Sequence, residues 1–316
     1  MDVAAFCRHT NVVIVAGKGG VGKTTVSAVI ATMAAKAGVS TLLVELDGKA
    51  ALPGLFGVEG PFGYEECELI AGKLRARRLT PDDALLDYLA DHGMGRISKR
   101  LVHSGALDIV ATAVPGLRDI LVLGKIKQLE REGAAELIIV DAPATGHAMS
   151  ALTTPQGLAD AVSVGPIRVQ AQDVIGLLSD KVRCSVILVT LPEETPVNES
   201  IQAAYEMEDK VGVNLGPIII NGIYPEVRGL SKSDIEKFAS NKLGSLSQAQ
   251  HDQLLKAAEF RIGRHELQNE QLERLSKGLP LPQLRMPYLF TTGITFADIE
   301  LLSSELAKEV ERLPSF

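Results

Sequence analysis

Short continuous apolar runs alternate along this chain with longer stretches that repeat at helical spacing. NVVIVA (11–16), TLLVEL (41–46), ELIIVD (136–141), CSVILVT (184–190) and GPIIIN (216–221) are rich in Val, Ile and Leu. They lack the in–out alternation of a half-solvated strand and have the pattern of parallel strands buried on both faces. Two weaker strands are expected at 73–79, more exposed than the others, and at 284–287. One helix is expected over 22–36, closed by Gly38. Another follows Thr80, with Pro81 at its first position and Asp82 and Asp83 in its first turn. Further helices are expected over 117–131, as short pieces within 155–180, and over 196–210. Residues 231–277 read as mostly polar helix with a narrow stripe of Leu255, Ala258, Ile262, Leu272 and Leu275, ended by Gly278. The last helix starts at a capping-box-like pair, Thr295 and Asp298, and turns Phe296, Ile299, Leu302 and Leu306 inward.

Strands alternating with helices predict an α/β fold, a mostly parallel sheet flanked by helices on both faces. With no repeat and no linker, one domain over 1–316 is expected, with helical insertions at about 81–132, 153–182 and 228–278. At 46% hydrophobic and 22% charged, 316 residues can bury a large core. The net charge of −7 argues against nucleic acid as a partner, because non-specific binding needs a basic face. The densest basic cluster, Lys73, Arg75, Arg77 and Arg78, reads as a solvated edge. Residues 1–10 carry no apolar signal core, and no apolar run reaches the roughly 18 residues of a membrane span. Cys7, Cys67 and Cys184 are scattered and form no CxxC, which suits a reducing compartment and no structural metal. The expectation is a cytoplasmic protein with at most peripheral membrane association.

The chemistry concentrates in VAGKGGVGKTT (15–25). Gly17, Gly22, Lys23 and Thr24 fill every fixed position of G-x-x-x-x-G-K-[ST], between an expected strand and an expected helix. In such a P-loop the backbone of Gly17, Lys18, Gly19, Gly20, Val21, Gly22, Lys23, Thr24 and Thr25 wraps phosphate oxygens, and the helix N-terminus adds partial positive charge. Lys23 would reach the β- and γ-phosphates and the Thr24 hydroxyl would bind Mg²⁺. Asp141 ends a strand where an acid would hold the ion through water. Asp47 follows TLLVEL, where it could touch the ion through water and orient or deprotonate an attacking water. General-base help is worth about 10² to 10⁴ in rate. A turn residue before Gly48 explains Asp47 equally well. Lys18 has no duty to its own nucleotide once Lys23 serves it. It could project across a two-fold axis, as an arginine finger does in trans for about 10³ to 10⁵ in rate, but spacing alone does not decide this.

GKGGVGKTT resembles the deviant Walker A motif of the dimeric P-loop ATPases related to MinD, ParA and nitrogenase iron protein. There the first lysine, here Lys18, reaches the other subunit's nucleotide, so the resemblance implies a nucleotide-sandwich dimer. Within that class DAPATGHAMSAL (141–152) is similar to the D-T-A-P-T-G-H-T switch II of the arsenical pump-driving and Get-pathway ATPases, and places Gly146 and His147 in that frame. PGLRDILVLGKIKQLE (115–130) and VTLPEETPVNES (189–200) resemble further segments of that branch. The match to IIINGIYP (218–225) implies that Asn221 contacts adenine, and the match to RMPYL (285–289) implies the same of Pro287. ATP with Mg²⁺ is therefore the implied cofactor pair; no guanine-reading N-K-x-D is present. Departures are equally specific. Switch I in the branch reads D-P-A-H, whereas Asp47-Gly48-Lys49-Ala50 stands here. The CxxC that joins Get-pathway subunits is absent, and so are clustered cysteines for arsenite.

Three functions compete. The first is a Mg·ATP hydrolase acting as a nucleotide-gated homodimer, or a heterodimer with a paralogue. The second is a targeting factor holding a hydrophobic protein client, with GALDIVATAVPGL (105–117) and VIGLLSD (174–180) as apolar surface; ordinary core packing is the favoured account of both stretches. The third is a small-molecule ligase or kinase on the same loop. An ATPase subunit of an anion or arsenite transporter is disfavoured by the cysteine pattern.

Overall fold

In a computed structural model the chain is described at residues 1–46, 51–91, 93, 116–143, 145–227, 230–240 and 247–314, with backbone alone at 145–147, 232 and 238–240. Eight strands form one sheet: β1 (Val12–Gly17), β2 (Thr41–Glu45), β3 (Cys67–Ile70), β4 (Leu74–Arg78), β5 (Leu137–Asp141), β6 (Cys184–Thr190), β7 (Ile218–Ile223) and β8 (Gln283–Pro287). Their order is β3-β4-β2-β5-β1-β6-β7-β8. Every neighbouring pair is parallel except β3 with β4. The apolar runs became the central strands for the reason their pattern gave: β1, β2, β5 and β6 are buried along their whole length. Alternate residues serve opposite faces. Val12, Ile14 and Ala16 join one core cluster, Val13 and Val15 the other.

The second cluster contains α1 (Val3–Cys7), α2 (Lys23–Lys36), α3 (Ala51–Leu55) and α11 (Phe296–Glu311). Every residue of α2 from Val26 to Ala35 is buried, because the sheet lies on one side and α11 on the other. Such a helix has no polar face to keep, and its alanines let the neighbours approach. The first cluster takes α4 (Pro81–Asp91), α5 (Leu117–Arg131), α6 (Thr145–Ala161), α7 (Pro166–Ser179), α8 (Glu194–Val211) and the 31-residue α10 (Gln248–Gly278). A short α9 (Lys232–Ser240) precedes α10.

The structure departs from the sequence reading in several places. β3 was not expected; it is four residues long and half-exposed, too short and polar to show a pattern. It covers β4, so of the basic cluster only Lys73 stays exposed. Arg77 is buried with its guanidinium 4.3 Å from the Tyr64 ring centre, and Arg75 donates to Glu66 at 2.6 Å. Residues 155–180 hold the end of α6, which runs through Pro155, and then α7. Of the stripe on α10, Leu272 and Leu275 are buried while Leu255, Ala258 and Ile262 are half-buried. Val174, Leu177 and Leu178 sit in the core, so VIGLLSD offers no client surface; residues 105–115 of the other stretch lie outside the described residues. Among the described residues no helix is long and apolar enough to cross a membrane.

Candidate active site

The C-terminal end of β1 runs into the loop Lys18–Gly22 and then α2, beneath the ends of β2, β5, β6 and β7. Two glycines of the motif are fixed by what surrounds them. A Cβ on Gly17 would lie 2.4 Å from the Val189 carbonyl oxygen of β6. Gly22 has φ +90° and a Cβ there would lie 2.3 Å from Asn221 Nδ2. Only glycine satisfies both the left-handed backbone and the close approach.

Asp141 ends β5 and is 6% exposed. Its Oδ2 accepts from the Thr24 hydroxyl at 2.9 Å and its Oδ1 from the Ser27 hydroxyl at 2.9 Å. The first turn of α2 is thus tied to β5 through a carboxylate, and hydrogen bonds to a charged acceptor are the strong kind. Lys23 Nζ donates to the Lys18 carbonyl at 3.0 Å. Thr25 lies half-buried in the same turn of α2. A cavity of about 310 Å³ opens here, lined by Gly19, Gly20, Gly22, Lys23 and Thr24 on one side and by Glu45, Ala51, Asp141, Ala142 and Pro143 on the other. Backbone donors, a lysine and a hydroxyl face two strand-end acids, an arrangement able to hold a phosphate chain with a cation.

Lys18 does not line that cavity. It makes an ion pair with Glu199 of α8, with its side chain about half exposed. The second oxygen of Glu199 is buried and accepts no hydrogen bond among the described residues.

Asn221 lies in β7 and its Nδ2 donates to the Val21 carbonyl at 3.0 Å, so the end of β7 is fastened to the phosphate loop. Pro287 ends β8 opposite Ile223 in register. An aromatic cluster stands beyond both: ring centres are 5.0 Å apart for Tyr224 and Tyr288, and 4.9 Å for Tyr288 and Phe290. Arg261 of α10 lies 4.7 Å over Tyr224 and 5.0 Å over Phe290. Arg264 hydrogen-bonds Glu193, which pushes its guanidinium pKa upward and keeps it charged beside Tyr224. Gln268, 2% exposed, donates to Gly222 O at 3.0 Å and accepts from Tyr224 N at 2.9 Å.

The structure therefore brings together Gly17, Gly19, Gly20, Val21, Gly22, Lys23, Thr24, Asp141 and Asn221, with Pro287 close by. Asp47 and its switch-I neighbours lie outside the described residues, as does the side chain of His147; Gly146 is described by its backbone in α6. Sequence reasoning missed Ser27, Glu45, Glu199 and the aromatic cluster. Glu45 had a signal, being the lone acid inside TLLVEL. Ser27 and Glu199 had none, since their partners are 114 and 181 residues away.

A mostly parallel sheet with a glycine loop opening onto a helix defines a P-loop nucleotide-binding protein. Residues 10–168, half of the chain, match the family model described as anion-transporting ATPase, and the chain belongs to that family. It is similar to ATPase BagA of Mycobacterium tuberculosis, 29% identical over 95% of this chain and 84% of the relative. A putative arsenical pump-driving ATPase of Halobacterium salinarum is 28% identical over 70% of this chain and 37% of its own length. ATPase GET3 of Chaetomium globosum is 32% identical over 48% of this chain and 44% of its own.

Proposed function

We propose that this chain hydrolyses Mg·ATP and works as a nucleotide-gated dimer that binds and releases a protein client. The observation that carries the first half is the pair of hydroxyl–carboxylate bonds from Thr24 and Ser27 to Asp141, set under the loop beside Lys23. In this reading the loop N–H groups and Lys23 bind the phosphates. Thr24 and Asp141 hold Mg²⁺, the latter through water, and Asp47 orients the attacking water. Among the described residues no group of three or more His, Cys, Asp or Glu could hold a metal alone. The cavity offers oxygen donors only, which suits a hard ion that completes its shell with phosphate oxygens and water. Cys184 belongs to the other core layer from Cys7 and Cys67, so the three thiols do not converge as an arsenite site would need.

The dimer half rests on Lys18. In one chain it is held by Glu199; in the proposed closed dimer it would leave that partner and cross to the other subunit's nucleotide. Mass by light scattering, without nucleotide, with Mg·ADP, and with Mg·ATP on Asp47→Asn, tests this. A dimer that forms or compacts only with ATP is expected, and Lys18→Ala should abolish it. Unchanged dimerisation and hydrolysis in Lys18→Ala would sink the sandwich. A monomer throughout would point to a paralogous partner or to small-molecule chemistry. Lys23→Ala is expected to remove hydrolysis in every assembly state, measured as phosphate release.

A further inference from the structure

Glu45 closes β2 and is 3% exposed, deeper than Asp141. Its register partner on β5 is Asp141 itself, so two acids end neighbouring strands side by side. Residues directly opposite across a strand pair share a face, and both line the cavity with Lys23 and Thr24. On the other side its register partner is Arg78 of β4. The surrounding run of TLLVEL shows what a residue placed there only for packing would look like. Tying α2 to the sheet does not need it either, because Asp141 alone takes both hydroxyls.

We infer that Glu45 is a second carboxylate for the divalent ion that accompanies the nucleotide. It would accept a hydrogen bond from one of the ion's water ligands, beside the water that Asp141 takes. This rests on the reading of the loop as a Mg·nucleotide site. Mg²⁺ gives up water reluctantly and is usually held by one or two carboxylates together with phosphate oxygens. Thr24 and the phosphates fill only part of its shell, and the remaining waters need acceptors. Two acids in one small cavity also repel until a cation arrives, so the ion and the nucleotide should bind with strong mutual dependence.

The test uses Mn²⁺ as the probe, its free concentration read by electron paramagnetic resonance in the presence of ADP, with ADP affinity in EDTA measured separately. Glu45→Gln is expected to weaken Mn²⁺ about 10- to 100-fold, the usual effect of an outer-shell partner, and to leave metal-free ADP affinity within about twofold. Glu45→Asp should restore part of the loss. Mn²⁺ affinity within about twofold of the parent in Glu45→Gln overturns the inference, and slowed hydrolysis alongside it would move Glu45 to water activation. If Glu45→Gln unfolds, Glu45→Asp decides: a folded protein whose Mn²⁺ affinity stays within about twofold of the parent overturns the role. A parent chain that binds neither ADP nor Mn²⁺ defeats the nucleotide reading itself, and the inference with it.

Discussion

Asp141 has a hydroxyl donor on each oxygen, which makes it a fixed acceptor. Asp141→Asn replaces one of those acceptors by a donor and should cost about 1.5–3 kcal/mol, the worth of a hydrogen bond to a charged group; urea unfolding measures it. Asn221 donates from Nδ2 to the Val21 carbonyl, and in the proposed ATP site its Oδ1 would be the atom offered to a base. An acceptor there takes the exocyclic amine of adenine and opposes the carbonyl of guanine. Asn221→Ala should therefore weaken ATP about 3- to 10-fold more than it weakens inorganic tripolyphosphate, in a competition assay. Burial pushes the Cys7 and Cys184 thiols from the ordinary value of 9.0 up to about 12. The folded state keeps those protons where the unfolded chain releases them. The stabilisation is full below pH 9 and falls as pH rises towards 12, which an alkaline series of melting temperatures would follow. Lys23, Thr24 and Asp141 were legible because motif spacing and a strand end mark them locally. Ser27 and Glu199 were not, because only the folded chain brings their partners to them.

Among elements, the phosphate loop and the end of β7 act as one piece through Asn221. Gly22→Ala forces a side chain into a left-handed backbone, about 1–3 kcal/mol of strain, and drives a methyl into the Asn221 amide. Its expected signature is joint loss of stability and of nucleotide affinity, by thermal melt and titration. The other fastening is Gln268, which serves two backbone groups of the segment after β7. Gln268→Ala leaves both unsatisfied at about 1–3 kcal/mol each, and faster amide exchange at Tyr224 would report it. Element ends were legible where the signal was local. Thr295 and Asp298 form the expected capping box, and Thr80 Oγ1 accepts from Asp83 N at 3.2 Å. β3 was illegible because its stability comes from pairing with β4, not from its own residues.

At the scale of the whole molecule, the apolar runs foretold the two helical layers, but nothing in them foretold that Lys18 would be paired within its own chain. That pair sets a competition. Glu199→Gln should release Lys18 and lower the ATP concentration at which dimers form, if the sandwich reading holds. Raised salt should act the same way but more weakly, since a half-exposed ion pair is partly screened already. The aromatic cluster has a further, optical consequence. The chain contains no tryptophan and five tyrosines, and two of those five stand together beside Asn221. Its ultraviolet emission is therefore tyrosine emission, drawn in part from the neighbourhood where a base would settle, and the arrival of a nucleotide should be visible in the unlabelled protein as a change in that glow.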